Sequence, residues 1–301
     1  MERLGLLAAI LSSALGGTAV VATRYLADAL DPVTIGAVRF AGGFLVLLPL
    51  ALAERHKWPA RKDWLGTGAL GLLFFGLFPV LFNAALIYTT AARGALALST
   101  LPLLTMVAGA ILGVERPTPR KGFGVLIAMA GVSIALGTRL EAAPAGAWRG
   151  DLIMVAAAFC MALYNVWSRP FISRSGPLPF AAFGMGAGAA SLLAFSAATG
   201  GLGGLTELNA AQWAACGYLA IVCGAFIFFL WAFALGRTTP TLVAISVAVN
   251  PVTAAMLAVP LLGEPVGANL MMGLVAVIAG IAIASASTKG RGPGLTRSPE
   301  P

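Results

Sequence analysis

A chain of 301 residues that is 59% apolar and only 10% charged lies far from soluble domains, in which about a quarter of residues are charged. The net charge of +8 would suggest nucleic acid in a soluble protein. Here Lys and Arg sit in short segments between long uncharged apolar stretches, a pattern that topology explains and that excludes a nucleic-acid partner.

About 20 apolar residues cross the hydrocarbon core. By that measure, spans are predicted at 4–27, 34–53, 64–88, 92–113, 121–137, 150–169, 178–198, 212–235, 240–262 and 268–287. The stretches are rich in Leu, Ala and Gly without two-residue alternation, and backbone groups in lipid must pair within their own segment, so helices are favoured over a barrel. The first span has an apolar run from Leu4 to Val21, too long for a signal peptide. The tail 289–301 is polar and glycine-rich and is expected to be disordered. Cys160, Cys216 and Cys223 all fall inside apolar stretches without ligand spacing and read as small packing residues, so no metal or other cofactor is expected.

Assigning loops alternately to the two sides of the membrane gathers most of the Lys and Arg on one side. The other side receives Arg24, Arg39, Arg93, Arg139 and Arg149. Positive loops stay in the cytoplasm, which places both termini there and requires an even number of spans.

Residues 92–137 lie over 241–286 without a gap, pairing Pro102 with Pro251, Glu115 with Glu264, Gly124 with Gly273 and Gly131 with Gly280. Upstream, Arg24 falls on Arg169 and Pro32 on Pro177. The expected fold class is therefore an all-α membrane protein: ten transmembrane helices as two inverted five-helix repeats around a central cavity. The first repeat is placed at 1–140 and the second at 141–288. An odd number of spans per unit inverts the second copy, an arrangement typical of secondary transporters with a site between the halves.

Gly113-Val114-Glu115-Arg116-Pro117 after the fourth span, Gly263-Glu264-Pro265 after the ninth, and Ala162-Leu163-Tyr164…Ser168-Arg169 in the sixth resemble EamA-type members of the drug/metabolite transporter superfamily, over residues 4–287. Within it the chain looks most like the YddG-type amino-acid exporters. Where that family often carries Trp-Gly in the first span, this chain has Leu15-Gly16. The resemblance implies a central cavity lined by spans 1, 3, 4, 6, 8 and 9.

Candidate substrate-binding residues are Phe78, Pro79, Phe82, Asn83, Ser99, Leu101, Tyr164, Trp231 and Asn250, with Pro102 and Pro251 as helix breaks or gates. Each proline removes a backbone hydrogen bond and deprives Leu98 or Val247 of its usual donor. Such a carbonyl suits an ammonium group, although the prolines also read as packing kinks. Phe75, Phe78, Phe82 and Leu86 recur at helical spacing, with Phe228 and Trp231 in the eighth span. They are read as an aromatic wall, or as packing and lipid-facing rings. Asn83, Ser99, Thr100, Tyr164, Asn165, Ser246 and Asn250 are intramembrane polar groups that serve a ligand or an interhelical hydrogen bond. Arg24, Arg39 and Arg93 read mainly as helix-end anchors that also attract carboxylates.

No Asp, Glu or His is expected at mid-membrane. That argues against carboxylate-based proton coupling and for a zwitterionic or uncharged substrate, since a strongly charged one would be left unpaired in low dielectric. The leading reading is a monomeric facilitator in the bacterial inner membrane, exporting neutral and aromatic amino acids and related metabolites by alternating access. A broad exporter of drugs or quaternary ammonium compounds is the alternative. An enzyme acting on lipid-linked substrates would need an acidic, His or metal cluster that the spans lack.

Overall fold

The computed structural model describes residues 2–26, 28–54, 57–89, 94, 97–136, 146–250, 252–253 and 268–286. Among these there is no strand. The helices are α1 Glu2–Leu26 and α2 Pro32–Ala53. Next comes α3, in which Trp64–Gly71, the π-helical Leu72–Leu77 and Phe78–Tyr88 run on without a break. Then follow α4 Leu101–Ile111, α5 Pro119–Leu136, α6 Ala147–Ser175 and α7 Pro177–Ala198. In α8, Ala210–Tyr218, π-helical Leu219–Phe226 and Ile227–Leu235 are continuous. The last two are α9 Pro240–Ser246 and α10 Ala268–Ser285. Among the described residues five stretches are long and apolar enough to cross a membrane: Pro32–Ala53, Arg61–Ala85, Ala147–Ser175, Pro177–Ala198 and Ala210–Leu235.

Local chemistry sets several ends. Asp31 caps α2 by accepting from the amides of Val33 and Thr34 at 2.9 and 3.0 Å, with Pro32 in the first turn, where it loses no helical donor. Asn209 and Gln212 form a reciprocal capping box on α8. Helix α6 outruns the expected span at its C-terminal end, continuing through Pro170 to Ser175. There Arg174 makes a two-pronged pair with Asp63 at 2.8 and 2.9 Å, and Gly176 at φ 79° turns the chain into α7.

Close glycine contacts fix the helix pairs. A Cβ on Gly124 would lie 2.6 Å from the Gly280 carbonyl, and one on Gly131 2.9 Å from that of Gly273, so α5 and α10 run antiparallel with backbones in contact. Gly43 of α2 meets the backbone of Gly224 in α8, and Gly188 of α7 meets Phe75 in α3. α2 and α7 pack antiparallel, Thr34 bonding Ser196 at 2.6 Å. The start of α1 meets the end of α8, with Gly5 against Arg237, while the end of α3 meets the start of α6, with Ala85 and Thr89 against Gly150. Exchanging each helix for the one five places on carries this set of pairs onto itself.

Candidate functional site

Aromatic rings from both chain halves meet where α2, α3, α6 and α8 converge. Tyr164 of α6 stacks on Phe74 with centroids 4.1 Å apart, and Phe75 meets it edge-on at 6.1 Å. Phe228 of α8 lies edge-on to Phe40, Phe74 and Phe75 at 5.0 to 5.5 Å. One turn further along α8, Trp231 donates its indole N–H to Asn165 Oδ1 at 3.0 Å. Leu101, Val243, Ala244 and Val247 join the same buried cluster.

The π-helical segment explains which phenylalanines enter. An extra residue in the turn rotates the helix face, so Phe74 and Phe75 are both 1% exposed while Phe78 and Phe82 are shifted to half-buried positions. A regular 3.6-residue period sees Phe75, Phe78 and Phe82 as one stripe and misses Phe74, the ring that stacks on Tyr164. Phe40 was missed for another reason: nothing in an otherwise uniform apolar span distinguishes it.

The remaining sequence-predicted residues divide between two zones. Tyr164, Trp231, Leu101, Pro102 and Ser99 are buried, the first three in the packed cluster. Phe78, Pro79, Phe82, Asn83 and Asn250 are half-buried. Asn83 Nδ2 donates to the Pro32 carbonyl at 3.2 Å, bridging α3 to the start of α2. The Asn250 side-chain amide lies against Gly16 of α1, where a Cβ would meet it at 2.9 Å, and its Oδ1 is buried without a partner among the described residues.

The structure refines what was expected of the two prolines and of Arg39. The helix is interrupted at Pro102: Ser99 and Thr100 form a turn, and Pro102 stands in the first turn of α4, where its missing N–H costs little. The Val247 carbonyl is not left free, because α9 tightens after Ser246 and the Asn250 amide takes it at 2.9 Å. Pro251 itself lies outside the described residues, as do Arg93, Glu264 and the tail. Arg39 is no helix-end anchor, since it stands within α2 and reaches across to α8.

Buried polar groups concentrate toward the end of the bundle that carries Arg174 and Arg237. Asn165 Nδ2, Ser168 Oγ and Thr105 Oγ1 are buried with no hydrogen-bond partner among the described residues. Near them Glu115, from the α4–α5 connection, accepts from Thr241 N at 3.1 Å and Thr241 Oγ1 at 3.0 Å at the start of α9, and pairs with Lys121. This carboxylate ties the first chain half to the second. Nothing in the sequence pairs Glu115 with Thr241, 126 residues away. Among the described residues no His, Cys, Asp or Glu cluster could hold a metal ion.

Comparison with known proteins places this architecture. An uncharacterized transporter of Archaeoglobus fulgidus is 28% identical over 85% of this chain and 89% of its own length. The uncharacterized transporter YyaM of Bacillus subtilis is 26% identical over 87% of each chain. A probable terminal-alkyne amino-acid exporter of Streptantibioticus cattleyicolor is 26% identical over 77% of each. One crystal structure superposes with a TM-score of 0.76 over 95% of this chain and 98% of that one, at 24% identity, a likeness of fold alone. The model of the EamA-like transporter family matches twice, at residues 3–137 and 148–286. With both matches together spanning nearly its whole length, this chain belongs to the EamA-like transporter family, as a multi-pass membrane transporter.

Proposed function

We propose that this protein exports neutral and aromatic amino acids and related small metabolites, as a monomeric facilitator of the YddG type working by alternating access. The observation that carries the reading is the aromatic cluster of Phe74, Phe75, Tyr164, Phe228 and Trp231, contributed by both halves and containing no carboxylate among its described members. Aromatic faces accept an apolar side chain, and a surround without a carboxylate leaves a net cation unpaired. The amino-acid assignment draws further support from the name of the Streptantibioticus relative. Export of drug or quaternary ammonium cations is the second reading. It requires a buried acidic partner that the described cluster lacks.

The architecture we infer is ten spans in two inverted units, 1–140 and 141–288, in the bacterial inner membrane. The self-mapping set of helix pairs and the doubled family match support it. Arg61, Lys62, Arg116, Lys121, Arg174 and Arg237 belong to one end, which is the cytoplasmic one by the positive-inside rule, with both termini there. In this reading the structure is closed toward the cytoplasm. Packing of Tyr164, Trp231, Leu101 and Ala244 seals that half, while Phe78, Phe82, Asn83 and Asn250 stay half-buried toward the outside. Asn165 Nδ2 and Ser168 Oγ, unpartnered here, gain water when that half opens, which narrows the energy gap between the two states.

The test is flux in liposomes holding the purified protein, with phenylalanine, leucine and glutamate and with a quaternary ammonium dye, with and without a pH gradient. Phenylalanine and leucine are expected to move down their gradients regardless of pH. Movement of the dye with amino-acid flux no faster than in empty vesicles overturns the substrate assignment.

A further inference from the structure

Arg39 stands seven residues beyond the first residue of α2, so by helical rise its backbone lies about 11 Å inside the span. Its head does not turn back toward water. Nε and Nη2 both donate to the Cys223 carbonyl, at 3.2 and 2.9 Å, within the π-helical segment of α8. The guanidinium carbon lies 5.3 Å from the Phe40 ring centroid and 5.4 Å from that of Phe228. No described carboxylate pairs with it, and its Nη1 hydrogens are unengaged among the described residues. A guanidinium at this depth without an anion is costly and marks a site rather than a surface anchor.

Packing does not require it. Counting from the matched helix starts Pro32 and Pro177, Gly184 of α7 occupies the place of Arg39, just as Gly188 occupies that of Gly43. Both helix pairs cross on these glycines, Gly43 on Gly224 and Gly188 on Phe75, so the fold builds this crossing with a glycine where α2 has arginine. The arginine is therefore specific to one half. Its surroundings are also divided: Thr18 and Tyr218 form a hydroxyl pair on α1 and α8 beside Cys223, while the aromatic cluster begins at Phe228.

We propose that Arg39 receives the carboxylate of the transported amino acid, its free Nη1 edge pairing with one oxygen while the substrate side chain lies against Phe228 and its neighbours. The planar fork suits a carboxylate, and its two existing bonds to one carbonyl hold it pre-oriented. This inference rests on the amino-acid reading given above.

The experiment compares phenylalanine with phenylalanine amide, which keeps the ammonium and ring but lacks the carboxylate. For the wild-type protein in detergent, phenylalanine amide is expected to bind at least about tenfold more weakly than phenylalanine, and equal affinity overturns the proposal without any variant. In liposomes, Arg39→Gln is expected to lose about tenfold or more of phenylalanine flux while amide flux stays within about twofold, with Arg39→Lys intermediate for phenylalanine. Unchanged phenylalanine flux in Arg39→Gln overturns the role of Arg39 and leaves the amino-acid reading standing. An equal loss for both compounds reduces Arg39 to a fastening of α8. Failure of the wild-type protein to bind or carry any amino acid overturns both.

Discussion

Replacing Glu115 with alanine removes one carboxylate that serves three donors: the Thr241 amide, the Thr241 hydroxyl and the Lys121 ammonium. The side chain of Glu115 is 4% exposed and that of Lys121 16%, so screening by water is weak. Hydrogen bonds to a charged group contribute about 1.5–3 kcal/mol each, and breaking a buried pair costs about 3–5 kcal/mol because the partner is left uncompensated. If the contact exists only when the Arg237 end is closed, about 3 kcal/mol of that loss shifts the closed-to-open ratio by roughly a hundredfold toward open. The readout is a cysteine at Ala244, fully buried in α9. It is introduced as Ala244→Cys with Cys160, Cys216 and Cys223 changed to serine, and labelled by a membrane-impermeant maleimide in inside-out vesicles. Glu115→Ala should raise the labelling rate by more than tenfold, and Glu115→Gln, which keeps an acceptor for Thr241 but not the charge, by less. An unchanged labelling rate alongside the same loss of thermal stability would refute the reasoning, because Glu115 would then brace the fold equally in every state.

Other perturbations probe single contacts. Ser168→Ala removes a buried hydroxyl with no partner among the described residues and should stabilise the closed form by about 1 kcal/mol, read as a melting temperature higher by about 2 °C together with slower transport. Gly71→Ala drives a methyl group into the carbonyl of Gly184, where backbone faces backbone. A loss of about 2 kcal/mol or more in stability, or failure to accumulate in the membrane, is expected. At the cap of α2, burial pushes the Asp31 carboxyl up, but the Thr34 hydroxyl and the amides of Thr34 and Val33 together outweigh it and leave the carboxyl below its usual value. A depressed folded value gives stability that is present above the unfolded pKa, near 4, and is lost as pH falls through the folded one. Melting curves between pH 7 and pH 3 should therefore show an acid-side decline that Asp31→Ala reduces, with about 1 kcal/mol lost at neutral pH.

Legibility in the sequence followed the physics of each feature. The five long apolar spans and the repeat-matched glycines are one-dimensional signals, and Gly124, Gly131 and Gly280 lie at backbone-to-backbone contacts. Tyr164, Trp231 and Asn165 were visible because a polar or amphipathic group in an apolar span has few alternatives. Phe74 was hidden because a π-helical turn breaks the period on which the stripe was counted. The second such turn, in α8, brings the Cys223 carbonyl to Arg39, and no residue pattern announces it. The Glu115–Thr241 contact joins segments whose separation only tertiary packing closes.

A duplicated fold offers its own control, because whatever one half needs for packing the other half should need as well. Gly43 and Gly188 pass that comparison, as do the paired π-helical turns of α3 and α8, so they are explained by how the helices cross. Arg39 does not pass it, since its counterpart Gly184 packs directly onto Gly71. Nor does the aromatic cluster: at the places answering Pro79 and Phe82 in α3, α8 carries Phe228 and Trp231. These two departures adjoin one another where α2, α3, α6 and α8 meet: Arg39 touches Phe228, and Phe228 touches Phe74, the ring stacked on Tyr164. The proposed substrate, with one carboxylate and one side chain, cannot be held symmetrically, and adjoining departures of this kind are what it requires.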